Sequence, residues 1–193
     1  KDVETFEHSV PTTTTVGMTS GNLKSTVLGA ESSEDIPLTK MRKVIASRLS
    51  ASKFSAPHFY LTVEINMDKA RAARVSVNEV SPVKISFNDI VLKSVASAIR
   101  QHPDVNVSWL EDKMQKHQHI HIGVAVAIPD GLVVPVVKFA DKKSLVHISE
   151  EVKDLAQRAV AKKLAPEEFT GNTFSISNLG MFGVEEFTAI INP

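Results

Sequence analysis

HIHIGVAVAIPDGLVVPVV, residues 119–137, decides the fold. From His119 to Ile128 apolar and other residues alternate, the period of a strand with one buried face. Pro129, Asp130 and Gly131 then form a turn, and Leu132 to Val137 return as a second strand. Pro135 cannot donate to a ladder, so that strand lies at a sheet edge or carries a bulge. Ser144 is placed to cap a following helix, in which Leu145, Ile148, Val152, Leu155 and Ala159 recur at three- and four-residue steps. Further on, Thr173 to Ser177 (TFSIS) is a short alternating strand with Thr173, Ser175 and Ser177 on one face and Phe174 and Ile176 on the other. It breaks into an Asn-Leu-Gly turn, and Phe187 to Ile191 is expected as another apolar strand.

On the N-terminal side, Thr39 is expected to cap a helix through Ser50, with Met41, Val44, Ile45 and Leu49 as its apolar stripe. Pro57 opens a predicted half-buried strand in which Phe59, Leu61, Val63, Ile65 and Met67 alternate with Tyr60, Thr62, Glu64 and Asn66. Asp68 is expected to cap a short helix carrying Arg71 and Arg74. Ser86 with Asp89 reads as a capping box for a helix ending near Pro103. Strands and helices interleave without a strict repeat, so the class is α/β, or α+β in stricter schemes, with a mixed sheet flanked by helices.

The 193 residues suffice for one domain with a substantial core and an appendage. Basic and acidic residues balance at 22 each, which removes the field that would draw nucleic acid or anionic lipid. Cysteine is absent, excluding disulfides, thiolate catalysis and cysteine metal sites. No apolar run is long enough to cross a bilayer as a helix. Residues 7–34 are rich in Thr, Ser and Gly and are expected to be a flexible linker.

Dinucleotide, phosphate-loop, nucleophile-elbow and His-Glu-x-x-His signatures are all lacking. His117, His119 and His121 share one strand face, as a three-imidazole metal site would require, but nothing in the sequence orients them. No metal is expected, and the polar outer face of a strand is the preferred reading. His58 opens a strand and reads as a hydrogen-bonded structural residue. Ser177 has no base beside it, so it fits a fixed hydrogen-bond donor better than a nucleophile. A donor aimed at developing oxyanion charge can lower a barrier by about 3 kcal/mol. Arg74 has the fork geometry that suits phosphate, and Lys93 lies on the polar side of its helix.

The segments MRKVIASRL (41–49), SAPHFYLTVEINM (55–67), KISFNDIVLKSVASAI (84–99), DVNVSW (104–109), HIGVAVAIPDGLVVPVVK (121–138) and TFSISNLGMFGVEEFTAIINP (173–193) stand in one order. Together they resemble the dihydrolipoyl acyltransferases, the core subunits of 2-oxo acid dehydrogenase complexes. SNLGMFGVEEFTAIINP looks like the acetyl-transferring branch of pyruvate dehydrogenase complexes. The resemblance implies a chloramphenicol-acetyltransferase-like fold over residues 35–193. It implies acetyl transfer from S-acetyldihydrolipoamide to coenzyme A, with the lipoyl group carried on a separate domain. It also implies trimers assembling into a large core, with 2-oxo acid dehydrogenase and dihydrolipoamide dehydrogenase as partners. Localisation would be the bacterial cytoplasm, or the mitochondrial matrix in a eukaryote.

By the same resemblance Ser177 stabilises the tetrahedral oxyanion, and Arg74, seven residues after Met67, contacts coenzyme A. Lys1 to Phe6 (KDVETF) resembles the end of a peripheral subunit-binding domain. The family's His-x-x-x-Asp-Gly motif, whose histidine is the general base, is expected beyond Pro193, so this stretch alone is expected to be inactive. Ala127 departs from the Asp or Ser common in relatives. The alternative is a non-catalytic core or docking subunit of the same complex.

Overall fold

The computed structural model describes residues 33–129 and 131–191. Lys1 to Phe6 and nearly all of the expected linker lie outside the described residues. The chain divides into two units, Lys1–Pro37 and Leu38–Pro193, and the second holds all the regular structure described below.

Helix α1 (Lys40–Ser55) is capped by Thr39, whose hydroxyl accepts the Arg42 N–H at 3.3 Å. It runs five residues past the expected end. Its expected apolar stripe is not buried, for Met41 and Val44 are exposed and only Ser52 is enclosed. The predicted strand over 57–67 does not form. Phe59, Leu61, Val63 and Ile65 are 81%, 82%, 73% and 69% exposed, and no ladder partner faces them among the described residues. Alternation gives a segment two chemically distinct faces, but a strand also requires a neighbouring backbone to pair with.

Helix α2 (Asp68–Val80) has Met67, not Asp68, at its N-cap; the Asn66 side-chain oxygen Oδ1 accepts the Asp68 N–H at 2.9 Å instead. Helix α3 (Phe87–Gln101) begins on the expected capping box, with Asp89 N–H on Ser86 Oγ at 3.1 Å and Ser86 N–H on Asp89 Oδ2 at 2.7 Å. The box satisfies two helix-end donors, and it also pairs the buried Asp89 carboxyl. Strands β1 (Val107–Trp109) and β2 (Met114–Lys116) form a hairpin.

The 119–137 stretch forms four short strands, not two long ones. They are β3 (Ile122–Val124), β4 (Val126–Ile128), β5 (Gly131–Val133) and β6 (Val136–Val137). β4 pairs with β5, while β6 pairs with β3. Ladder pairing breaks at Ala125 and again at Val134–Pro135, so each arm of the hairpin is divided between two sheets. Helix α4 (Leu145–Val160) is capped by Ser144, as its sequence predicts.

β7 (Phe174–Ile176) completes a three-stranded mixed sheet in the order β6-β3-β7, antiparallel on one side of β3 and parallel on the other. β6, which follows Pro135, is thus an edge strand, as the proline requires. The expected strand Phe187–Ile191 is not one, since it joins no ladder among the described residues. The core lies between this sheet and helices α3 and α4. Leu92, Ala96 and Ile99 come from α3, Ile120, Ile122, Val124 and Val137 from the sheet region, and Ile148 and Leu155 from α4. β3 is buried on both faces, so its interior is apolar throughout.

Candidate active site at the end of strand β7

β7 is placed by β3. Gly123 lies opposite Ser175 and Val124 opposite Ile176, and Ala125 N–H donates to the Ile176 carbonyl at 2.9 Å. Ser177 follows directly on this last ladder bond and is exposed. Alternation along the strand is read out in side-chain bonds. Thr173 Oγ1 accepts the His121 N–H at 3.2 Å, and Ser175 Oγ accepts from Asn172 Nδ2 at 2.9 Å. Two hydroxyls of that face are therefore committed to structure, whereas the hydroxyl of Ser177 bonds to no described residue. Beyond it, Asn178 Oδ1 accepts the Gly180 N–H at 2.9 Å, an Asx turn that carries the chain away and keeps Ser177 at an open margin.

Gly123 makes this close arrangement possible. A Cβ there would stand 2.6 Å from Val134 Cγ1 and 3.2 Å from the Asn172 side chain. The glycine leaves room for the asparagine that holds Ser175. On the entry side of β7, Glu168 Oε2 accepts from Arg158 Nη1 at 2.6 Å and from Ala165 N–H at 2.9 Å. The guanidinium bond, aided by that amide, pulls the Glu168 carboxyl down to about 2 and pushes the Arg158 pKa up.

Arg74 sits on α2, where the guanidinium stacks 4.2 Å from the Phe87 ring centroid and Nη1 donates to the Ile85 carbonyl at 3.4 Å. Asn78 brackets the same residue, accepting from Ile85 N–H at 2.7 Å and donating to its carbonyl at 3.1 Å. Arg74 Nε is buried without a partner, and no carboxylate pairs with the side chain among the described residues. No hydrogen bond or ring contact joins Arg74 to Ser177 among the described residues. Lys93 is not simple surface charge, because its ammonium caps the Asp141 and Lys143 carbonyls at 2.9 and 2.6 Å. An open groove of about 410 Å³ beside it, with Ile90, Ser97, Gln101 and Leu145 in its wall, includes neither Ser177 nor Arg74.

The three histidines each bond or stack separately. His117 Nε2 meets Ser108 Oγ at 2.9 Å, and His121 Nδ1 accepts the Phe139 N–H at 3.0 Å. His119 lies between them, its ring centroid 5.4 Å from that of His117 and 4.2 Å from that of His121. Among the described residues no group of three His, Cys, Asp or Glu side chains is placed to hold a metal ion. His58 is structural: Nδ1 faces the Ala56 carbonyl at 2.7 Å and Nε2 accepts the Ile191 N–H at 3.1 Å. Ser52 Oγ donates to the Ile191 carbonyl at 2.6 Å, so two side chains grip the peptide groups of a segment that has no ladder. Neither Ser52 nor Asn172 stands out in the sequence. Their roles depend on partners distant along the chain, and no local pattern reports them.

A mixed sheet sharing its core with helices α3 and α4 is the α/β architecture expected from the sequence. Residues 30–193 match the family model for the 2-oxoacid dehydrogenases acyltransferase catalytic domain, and the chain belongs to that family. The dihydrolipoyllysine-residue acetyltransferase component of the pyruvate dehydrogenase complex of Rhizobium meliloti is 47% identical over 167 residues, covering 83% of this chain and 37% of that protein. The mitochondrial counterpart of Schizosaccharomyces pombe is 48% identical over 162 residues, covering 83% of this chain and 34% of that protein. The chain thus spans about a third of these relatives' length.

Among solved structures, a dihydrolipoamide acetyltransferase of Azotobacter vinelandii superposes with a TM-score of 0.80 at 33% identity, over 83% of this chain and 68% of that one. A serine, a histidine and an asparagine of that enzyme have been investigated for roles in its catalytic mechanism. A probable dihydrolipoamide acetyltransferase from Listeria monocytogenes gives 0.77 at 34% identity, over 83% and 70% of the two chains. The family expected from the sequence and its fold class are therefore both established. The relatives include bacterial and mitochondrial proteins, and no described helix is long and apolar enough to cross a membrane.

Proposed function

We propose that this chain is the acyltransferase part of a pyruvate dehydrogenase complex, moving an acetyl group from S-acetyldihydrolipoamide to coenzyme A. The observation that carries the reading is the uncommitted Ser177 hydroxyl at the end of a strand whose other same-face hydroxyls are bonded. Attack of a thiolate on the acetyl carbonyl puts negative charge on its oxygen, and a hydroxyl one residue beyond a hydrogen-bonded ladder is placed to meet that charge with little reorganisation. The thiol proton must leave first, which requires a general base. In this proposal the base is a histidine of an adjoining subunit, in the family's His-x-x-x-Asp-Gly motif.

Coenzyme A is anionic, and Arg74 is the arginine proposed to meet it. Its guanidinium is held in place by Phe87 and has no carboxylate partner, so its positive charge remains available to a phosphate. The lipoyl group would arrive on a separate domain, with residues 7–34 as linker and 1–6 as the end of a subunit-binding domain. Self-association into trimers and a larger core is supported by likeness to the cubic core of a pyruvate dehydrogenase multienzyme complex, with a TM-score of 0.80 at 33% identity. The dehydrogenase partners and a location in bacterial cytoplasm or mitochondrial matrix belong to the same proposal.

The rival, a non-catalytic core subunit of such a complex, keeps the fold and loses the chemistry. The test is acetyl transfer to coenzyme A by the whole protein of which this chain forms part. Turnover supports the enzyme. An assembled core without turnover leaves the structural role.

A further inference from the structure

We infer that His121 is the positioning residue of the Ser177 strand, its ring holding the Phe139 turn and its main chain holding the entry to β7. The inference rests on the role proposed for Ser177, but its observations are independent of that role.

Phe139 has φ 50° and ψ 44°, a left-handed conformation that side chains other than glycine and asparagine adopt rarely. Such a residue persists only where its surroundings over-determine it. Here its N–H is donated to His121 Nδ1 at 3.0 Å, and its ring stands edge-on to the His121 ring with centroids 4.6 Å apart. The next residue, buried Ala140, donates to the Ile120 carbonyl at 2.9 Å. The turn therefore hangs from residues 120 and 121, braced from α3 by Lys93 on the Asp141 and Lys143 carbonyls.

The other side of the same residue grips β7. The His121 carbonyl accepts from Thr173 N–H at 2.8 Å, Phe174 N–H at 3.2 Å and Thr173 Oγ1 at 3.3 Å, and the His121 N–H donates to Thr173 Oγ1 at 3.2 Å. These bonds fix the first residues of the strand whose third ladder residue, Ile176, immediately precedes Ser177. One residue thus joins a strained turn to the register of the serine strand.

The bond from Phe139 requires a bare Nδ1, with the ring proton on Nε2. A cationic ring would set one N–H against another. The surroundings favour the neutral form. Burial lowers the His121 pKa below its usual value, a backbone hydrogen bond at Ile120 offsets part of that, and the charges of His119, Lys138 and Lys143 add to the lowering. Lys142 lies over the Phe139 ring at 5.6 Å. The nearby acids are engaged elsewhere, Glu151 with Lys143, Asp141 with Arg100, and Glu168 with Arg158. Acidification through the His121 pKa should therefore release the turn and loosen the start of β7.

Hydrogen–deuterium exchange read by mass spectrometry on the intact protein tests this, following peptides over 136–142 and 172–177 from about pH 8 down through the acid range in which His121 protonates. In the wild type, protection corrected for intrinsic exchange should fall at least tenfold in both peptides as His121 protonates. His121→Asn supplies an amide oxygen near the place of Nδ1 that does not titrate, so protection should persist and the pH step should vanish. His121→Ala should lose protection in both peptides at every pH. If that variant does not fold, the wild-type series and His121→Asn decide. A flat wild-type profile, or a pH step that survives in His121→Asn, overturns the inference. No catalytic step enters the readout, so either result leaves the role of Ser177 to be judged by acetyl transfer.

Discussion

Replacing Gly123 by alanine should disturb the sheet that carries Ser177 more than its small size suggests. β3 is the central strand, bonded to β6 on one side and to β7 on the other, so its backbone cannot retreat. The new Cβ would meet Val134 Cγ1 at 2.6 Å, against ordinary contacts of 3.4–4 Å. Val134 must move by about 1 Å or turn to a poorer rotamer, and overpacking of this kind costs about 1–3 kcal/mol. For a chain of this size the melting temperature should fall by about 2–12 °C. Asn172, at 3.2 Å from the same point, would be pushed from Ser175 as well.

Urea or thermal unfolding of the single variants and of Gly123→Ala with Val134→Ala separates the contributions. Removing the Val134 methyls should relieve the clash, giving a favourable coupling of about 1 kcal/mol or more. A Gly123→Ala protein as stable as the wild type, with additive double-variant behaviour, would refute the packing argument.

Arg74→Ala should raise the KM for coenzyme A about tenfold or more with little change in kcat, as loss of a charge-assisted phosphate contact does. An unchanged KM would leave Arg74 only its stacking on Phe87. The Glu168 bonds should matter to stability only while the carboxyl is ionised. Because its pKa is depressed to about 2 from an ordinary 4.5, their contribution should be complete above pH 4.5 and disappear as pH falls towards 2. Wild type and Glu168→Gln compared by denaturation across that range should converge at the acid end; a constant gap would contradict the assignment. Ser52→Ala removes the hydroxyl bond to the Ile191 carbonyl, so limited proteolysis near 185–191 should quicken several-fold while α3 and α4 stay resistant. Equal cleavage rates would show that His58 holds the segment unaided.

The helix starts were legible because each is a local device. Thr39, the Ser86–Asp89 box and Ser144 bond to amides three residues away, and such spacing is visible in a sequence. Asp68 misled because Asn66, two residues earlier, supplies the oxygen instead. The strand calculus succeeded for β7 and failed for 57–67 for a single reason: alternation marks two faces but cannot say whether a backbone lies alongside. β7 finds β3 some fifty positions away, whereas 57–67 finds no such partner among the described residues. Ser177 was legible as a strand-end hydroxyl, and the resemblance gave it a role. Its supports, Asn172, Thr173 and the His121–Phe139 contact, were not, because each joins residues that only the folded topology brings together.

The most direct measurement is acetyl transfer to coenzyme A by the whole protein with Ser177→Ala. Loss of one oxyanion donor should lower kcat by about 10²–10³ while the KM for coenzyme A stays close to that of the wild type. Turnover undiminished by the substitution would contradict the account, for the hydroxyl at the end of β7 would then have no part in the reaction.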